Sequence, residues 1–292
     1  MKNLFLIFTS TLLLSSLSAP AADAFELDGE TRNQCLEVLR AGLRAEGDED
    51  FWAAIHAAEA LTLAGKGDEV RAFLEPKLAT ETDDQKRVGL ARELVRAGDR
   101  EKATVMLDIL KGDDSHGHVH AAESLYKVGF DGSPAPLVKH FQSTDDPRLL
   151  LMTAAALAKH GNKDMQKEGF NTLRSVLKGE SDPAVYRLPA WVLGRIGDKS
   201  DIDRIKEKLP DSDDPVVTAF LQHSLALLGD PDAKKQILTN LQSDDPAIRT
   251  YAAVFAGEAG ISGAAPFLTK QLNDENLDAR IRAAQGLIVL SQ

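Results

Sequence analysis

A repeated unit of about 32 residues constrains this chain more than any single motif does. The dipeptide Asp-Pro begins at Asp182, Asp214 and Asp245, and each is followed by an apolar run and by a glycine 15 positions after the Asp. The three copies follow one another at intervals of 32 and 31 residues. Internal repeats of this length are typical of proteins in which each unit packs on its neighbours. The chain is therefore predicted to be an array of small repeated units.

Each unit predicts two helices. Asp is a good N-cap, and Pro fits the first helical position because it has no backbone N–H to leave unpaired. Between Asp214 and Gly229, apolar residues recur three and four positions apart, which is the spacing of one helix face, and only Ser224 interrupts them. Glycine suits the left-handed conformation past a helix end, and a second apolar helix follows at Ile237 and Leu241. Because a pair of about 30 residues is too small to be stable alone, the predicted fold is all-α, an α-solenoid of stacked helical hairpins.

Earlier glycines continue the series toward the N-terminus in a looser form: Gly65, Gly98, Gly129, Gly161 and Gly197. Residues 51–292 therefore hold about seven and a half units, and residues 25–50 hold one N-terminal capping helix, from Arg32 to about Arg44. No linker interrupts the array. We expect one elongated domain, roughly 70 Å long at the usual 8–10 Å between packed helices.

The segment from Asp245 to Arg249, followed by Ala252-Ala253 and Gly260, resembles HEAT-like repeats of the phycobilisome-lyase (E-Z) type. The resemblance covers most of the chain after residue 24. It implies a fold more than a function, because such repeats serve many roles. The bilin-lyase branch of these repeats would imply a chaperone for a chromophore, although no residues here identify a bilin pocket.

The same repeat type also builds deoxyhypusine hydroxylase, whose His-Glu pairs hold two irons. This chain has Ala-Ala-Glu in its first and third units, but no His is directly followed by Glu. The resemblance therefore implies no di-iron centre in this chain.

Residues 1–24 have the pattern of a signal peptide. Lys2 provides a positive start, Leu4 to Leu17 an apolar stretch too short for a stable membrane span, and small residues offer cleavage after Ala21 or Ala24. We therefore expect an exported protein, periplasmic or secreted, with no membrane span in the mature chain.

Composition narrows the classes of partner. The net charge of −11 argues against nucleic acid or an anionic membrane, because neither attracts a negative surface. The one cysteine, Cys35, lies in an amphipathic segment and is interpreted as a small buried hydrophobe. The alternative is a free thiol for intermolecular pairing.

Aligning the units on their glycines indicates one cluster of polar side chains. The positions nine and six residues before the glycine are mostly bulky and apolar in the later units, so we expect them to be at least half-buried. In the first three units they are polar instead: His56, Glu59, Arg92, His120 and Glu123. The first interpretation is structural, with Arg92 bridging Glu59 and Glu123 in a buried network that fixes the register of units 1 to 3.

The second interpretation of this cluster is a ligand or metal site. His and Glu three positions apart on a helix can chelate, and Gly89, between the two histidines, leaves a hollow that a small polar ligand could enter. The two His-x-x-Glu pairs are roughly 20 Å apart at the helix packing distance, too far to share one ion. We therefore predict no stoichiometric metal and no cofactor.

Three further sequence patterns bear on metal binding and catalysis. His116, His118 and His120 would converge on a surface metal only if the helix began late, because His118 points away from the other two on a helix. Paired aspartates such as Asp213-Asp214 are explained as helix caps, and together they could attract a basic partner or calcium weakly. No nucleophile elbow or phosphate loop is present, so no catalytic residues are predicted.

These observations favour an exported, non-catalytic scaffold that binds another protein. The alternatives are a ligand-binding or metal-binding protein or enzyme centred on the polar cluster, and a chromophore chaperone. The last helix, Asp278 to Leu290, has no second helix to cover its apolar stripe. It either packs onto the seventh unit or offers an open end to a partner or a second copy, and we predict the first, hence a monomer.

Overall fold

The computed structural model describes residues 25–292, so the predicted signal peptide lies outside the described residues. Within 25–292 the chain forms sixteen α-helices and no strand, which confirms the all-α prediction. Even-numbered helices form an inner set: α2 (Phe51–Leu63), α4 (Asp84–Arg96), α6 (His118–Val128), α8 (Pro147–His160), α10 (Pro183–Ile196), α12 (Pro215–Leu227), α14 (Pro246–Glu258) and α16 (Leu277–Leu290). Odd-numbered helices form an outer set: α1 (Gly29–Leu43), α3 (Gly67–Thr80), α5 (Ala103–Lys111), α7 (Ala135–Ser143), α9 (Lys163–Gly179), α11 (Asp201–Lys206), α13 (Pro231–Asn240) and α15 (Ala265–Gln271). Among these described residues, none of the helices combines the length and apolar character needed to cross a membrane.

The predicted helix starts are confirmed by their caps. The carboxylates of Asp182, Asp214 and Asp245 each accept a hydrogen bond from a backbone N–H in the first turn. Each such cap stabilises a helix by about 1 kcal/mol.

The glycines that end the inner helices fall into two groups. Gly229 and Gly260 take the predicted left-handed conformation, with φ of 96° and 62°. The prediction is wrong for Gly197, whose φ is −79°. A methyl group on Gly197 would lie 2.5 Å from the carbonyl oxygen of Leu193 and 2.5 Å from Oδ2 of Asp201. Glycine is required there for close approach, not for its left-handed conformation.

One continuous apolar core lies between the inner and outer helices. The predicted stripes supply it: Leu221 and Leu225 of α12 and Ile237 of α13 are all buried. Burying one side chain of this size contributes about 1.5–3 kcal/mol. The inner helices also carry many buried alanines, such as Ala121 and Ala122, which let neighbouring helices approach closely.

The array closes on itself. Each inner helix packs against the next inner helix, and α16 packs against α2 as well as α14. The outer helix α1 packs against both α16 and α2, so it occupies the position that the other outer helices hold between two inner ones. A methyl group on Gly42 of α1 would lie 2.6 Å from Cδ1 of Ile281 and 3.3 Å from Cβ of Ala57.

Closure corrects two expectations. The body is not the elongated rod of roughly 70 Å that unit spacing predicted, because the stacking of eight inner helices completes a turn. The last helix packs onto the seventh unit as predicted, but α1 and α2 cover it too. The alternative prediction, an open end, is therefore wrong for residues 25–292. Leu287 and Ile288 are consequently buried. The eighth hairpin is thus complete, with α16 as its inner helix and α1 as its outer helix.

Candidate binding site in the central cavity

The ring of inner helices surrounds a central cavity in two parts. All eight inner helices contribute side chains to a cavity of about 320 Å³. We call it the N-terminal cavity, because it lies nearer the N-terminal ends of these helices than the second cavity does. A second cavity of about 260 Å³ lies nearer the C-terminal ends of these helices and is here the C-terminal cavity. The two cavities share four lining residues, Lys127, Trp191, Tyr251 and Arg282, so they are parts of one central space.

The five residues predicted as a polar cluster all reach this central space. The N-terminal cavity is lined by His56, Arg92, His120 and Glu123, and the C-terminal cavity by Glu59. They lie on α2, α4 and α6. They reach the cavity because the positions six and nine residues before each glycine face the inside of the ring.

The predicted bridge from Arg92 to both glutamates is wrong. Nε of Arg92 lies 2.6 Å from Oε1 of Glu93, whose side chain is completely buried. Glu123 pairs instead with Lys127, one turn further along α6, at 2.7 Å. Arg92 and Glu123 thus each pair with a nearer residue on their own helix, and not with each other as the repeat alignment predicted.

Glu59 has two other partners. Its carboxylate lies 3.1 Å from Nη2 of Arg96 and 3.0 Å from Nη1 of Arg282. Arg282 belongs to α16, so this contact exists only because the ring closes. Arg96 also contacts Glu93 at 2.9 Å, so it links two carboxylates.

Two of the cavity carboxylates, Glu123 and Glu59, are held in the ionised state. Burial would raise the pKa of Glu123, but the ion pair with Lys127 prevails and lowers that pKa to about 2. Burial likewise opposes the ionisation of Glu59, yet Arg96 and Arg282 hold the pKa of Glu59 well below its usual range. Each carboxylate therefore neutralises a neighbouring cation across the physiological pH range.

The hollow predicted at Gly89 is filled by the protein itself. The indole of Trp52 extends over it, so that a methyl group on Gly89 would lie 3.2 Å from Cζ3 of Trp52. The same indole stacks on His120, with ring centroids 5.4 Å apart and an angle of 15° between the planes. Burial lowers the pKa of His120, so its ring is neutral at pH 7. Trp52 thus joins α2 to α6 across the glycine.

The three clustered histidines point to different partners. Nε2 of His116 lies 2.9 Å from Oδ2 of Asp83, and His118 is buried with its ring 4.6 Å from that of His140. Among residues 25–292, no group of three or more His, Cys, Asp or Glu is arranged to hold a metal ion. The absence of a bound metal stays a prediction.

A row of basic residues escaped the sequence prediction. Arg96, Lys127, Lys159 and Arg195 all line the C-terminal cavity, and each stands two positions before its repeat glycine. The signal was therefore present in the alignment of units 2 to 5. That signal is weak by itself, because cations are common near helix C-termini, where the helix dipole favours them.

Aromatic side chains form much of the wall of the N-terminal cavity: Trp52, Trp191, Phe220 and Tyr251. These include both tryptophans of the chain. Tyr251 is 40% exposed, the only large hydrophobic side chain so exposed among the described residues. The guanidinium of Arg187 lies 5.4 Å from the ring centroid of Phe220, and that of Arg195 lies 4.6 Å from Trp191. The cavity therefore combines flat apolar surfaces with positive charge.

Comparison with known families identifies HEAT repeats in this chain. The family model matches residues 134–226 and 209–288, which together extend over more than half of the chain. A comparison with curated proteins gives no match.

Proposed function

Since this chain belongs to the HEAT-repeat family, we propose that it is a non-catalytic binding protein and that its binding site is the central cavity. In open arrays of stacked helix pairs, the concave inner face is the usual binding surface. Here that face is enclosed by the contact of α16 with α2. The observation that supports the proposal most strongly is the N-terminal cavity of about 320 Å³, to which all eight inner helices contribute. Ligand pockets for small molecules are typically about 300–1,000 Å³.

The state of the lining groups supports binding in preference to catalysis. A general acid or base works best when its pKa lies near the working pH. The pKa of Glu123 is about 2, and the pKa of Glu59 is also well below its usual range. Both carboxylates are committed to ion pairs, and His120 is stacked on Trp52. These groups are suited to fixing charge in place, not to transferring protons.

Binding of another protein is the second candidate, and the family match favours it because HEAT repeats often mediate protein interactions. A folded domain is too large for the cavity, so such a partner would use the outer surface. The E-Z type of repeat, the chromophore role that it implies and export by residues 1–24 stay predictions.

Tryptophan fluorescence tests the proposed site directly, because both tryptophans of the chain line the N-terminal cavity. The purified protein is titrated with three compounds of similar size: phenylacetate, phenylacetamide and phenethylamine. We expect saturable quenching by at least one of them. Val119, half-buried in the cavity wall, provides the blocking variant Val119→Tyr. Val138, half-buried on the outer helix α7, provides the matched control Val138→Tyr.

Binding that is lost in Val119→Tyr and kept in Val138→Tyr supports the cavity as the site. Absence of saturable quenching by all three compounds up to millimolar concentration contradicts the proposal. Equal loss in both variants, with circular dichroism showing that both are folded, also contradicts it.

A further inference from the structure

We infer that the ligand of the central cavity is a small organic anion with a flat apolar body, and that Arg187 and Arg148 bind its charged group. This inference rests on the proposed function, since it names the class of ligand for the same cavity.

Charge in the cavity is opposite to that of the whole protein. Eight cationic side chains and three carboxylates line the two cavities, whereas the chain has a net charge of −11. Two further carboxylates, Glu93 and Asp278, pair with lining arginines and still leave the cations in excess. A local field of this sign attracts anions and repels cations.

Arg187 is a cation without a partner. Among the described residues it forms no salt bridge, and its Nε is buried without a hydrogen-bond acceptor. A buried donor left unsatisfied destabilises a protein, so an acceptor from a ligand would be favourable. Its guanidinium lies over Phe220, which holds the charged group at the cavity wall. Carboxylates and phosphates are the groups that match the planar fork of arginine.

Arg148 supplies the second charge. It is the second residue of α8, the inner helix next to α10, which carries Arg187, and it lines the same cavity. Its side chain is exposed, and its contacts with Asp146 are long, at 3.5 Å. An exposed arginine with only long contacts at this end of the cavity can pair with an anion that Arg187 already holds.

Other cations of the N-terminal cavity are already engaged. Lys127 pairs with Glu123 at 2.7 Å, Arg92 with Glu93 at 2.6 Å, and Arg282 with Glu59 at 3.0 Å. Within this cavity, the positive charge that lacks a close carboxylate partner is therefore concentrated at Arg187, which has none, and at Arg148, whose contacts with Asp146 are long.

Aromatic walls determine the rest of the ligand. Trp52, Trp191 and Tyr251 place aromatic rings around the same space, and Tyr251 is the exposed one among them. Such rings favour a planar apolar body by stacking and by burial of apolar surface. A volume of about 320 Å³ suits a ligand with one or two rings.

The test compares the affinities of probes that have a similar size and a phenyl ring but differ in charge. Phenylacetate and phenyl phosphate are the anions, phenylacetamide the neutral probe and phenethylamine the cation, all followed by tryptophan fluorescence. We expect the anions to bind at least about tenfold more tightly than the amide, and phenethylamine to bind most weakly. The tighter of the two anions distinguishes a carboxylate ligand from a phosphate ligand.

Variants then test the assigned residues. Arg187→Met keeps an unbranched apolar stem without the guanidinium and should weaken anion binding by roughly 10- to 100-fold, leaving the amide unaffected. Arg187→Lys should restore part of the affinity. Arg148→Met, at an exposed position, should cause a smaller loss, and it carries the test if Arg187→Met does not fold. Arg32→Met, which changes an exposed arginine of α1, is the control and should bind like the wild type.

Equal affinity for the anion, the amide and the amine overturns the inference while the proposed site stands. Unchanged anion affinity in a folded Arg187→Met, or in Arg148→Met should the first not fold, overturns the assignment of the charged group. Absence of binding by every probe overturns the proposed function and the inference together.

Discussion

Nδ1 of His56 lies 2.7 Å from Oδ1 of Asp278, although the two residues are 222 positions apart in the chain. One belongs to the first inner helix and the other to the last. Arg282 reaches Glu59 across the same seam at 3.0 Å. The ring is therefore joined by polar contacts on its inner face as well as by the apolar packing of α1 on its outer face.

Overpacking the outer face of this seam should destabilise the protein. Gly42→Val places methyl groups where Ile281 already lies, and we expect a loss of about 1–3 kcal/mol in the free energy of unfolding. Ile281→Ala alone should cost about 2–5 kcal/mol by leaving a cavity. The double variant should cost less than the sum, because the new side chain enters the vacated space. Urea denaturation measures all three.

Ala41 offers the control for Gly42, since it is the preceding residue of α1 and is exposed. Ala41→Val should change stability by only about 0.5 kcal/mol. Strict additivity of Gly42→Val and Ile281→Ala would show that α1 and α16 are not in contact in solution.

The buried ion pairs of the inner face predict a ranking. Arg96 contacts both Glu93 and Glu59, whereas Arg92 contacts Glu93 alone. Arg96→Met removes one partner from each of two carboxylates, which still keep Arg92 and Arg282, and should therefore cost about 1.5–3 kcal/mol, the usual effect of losing hydrogen bonds between charged groups. Arg92→Met should cost less, because Glu93 keeps Arg96. Equal losses, or the reverse order, in urea denaturation would contradict this network.

Acid should destabilise the protein through His223. Its side chain is completely buried on α12, and burial, followed by the charge of Arg195, lowers its pKa from 6.5 to about 3. Below pH 6.5 the unfolded chain binds the proton and the folded protein does not, so stability falls as the pH falls. The loss from this residue between pH 7 and pH 5 should be about 2 kcal/mol.

His223→Met should remove that part of the pH dependence, measured by urea denaturation at the two pH values. His116 is the control of opposite sign, because its hydrogen bond to Asp83 raises its pKa. Its contribution to stability is present in acid and lost as the pH rises, so His116→Met should make the protein more sensitive to acid. A His223→Met variant with the full acid sensitivity of the wild type would show that this imidazole is not buried.

Filling the space at Gly89 should displace Trp52. Gly89→Leu places side-chain atoms in the hollow that the indole covers, so Trp52 should leave His120 and become more exposed to water. In a Trp191→Phe background, where Trp52 is the only tryptophan, its emission should shift to longer wavelength. The overpacking should also cost about 1–3 kcal/mol. Gly29→Leu, at a position with open space around it, should leave the emission unchanged.

The helices were predictable because their signals are local. Asp245 and Gly260 bracket α14 within 15 positions, and both act as the cap and the helix end that their chemistry predicts.

Closure was not predicted, because no single repeat carries it. It depends on the rotation angle between each helical hairpin and the next. These angles add up over eight inner helices, and no single position of the aligned repeats encodes the total. The available signal was a matched pair of incomplete ends, since Arg32 to Arg44 was a helix without a partner and Asp278 to Leu290 lacked a second helix.

The candidate site was predictable only in part. The repeat alignment identified which positions line the cavity, but it did not identify their ion-pair partners. Arg92 and Glu123 form ion pairs with residues on their own helices. Arg282 entered the site from the far end of the chain. Contacts set by tertiary distance leave no trace in sequence spacing.

The order in which a ribosome makes this chain has a consequence for how it folds. Helix α1 is synthesised before the other fifteen described helices, yet the hairpin it completes needs α16, which begins only at Leu277. The side of α1 that packs on α16 must therefore wait until residues 44–290 have been made before it is covered. The earlier hairpins can assemble from neighbouring segments, but this contact between distant segments is the slow kind to form. The nascent chain thus carries one side of α1 uncovered until α16 has been made.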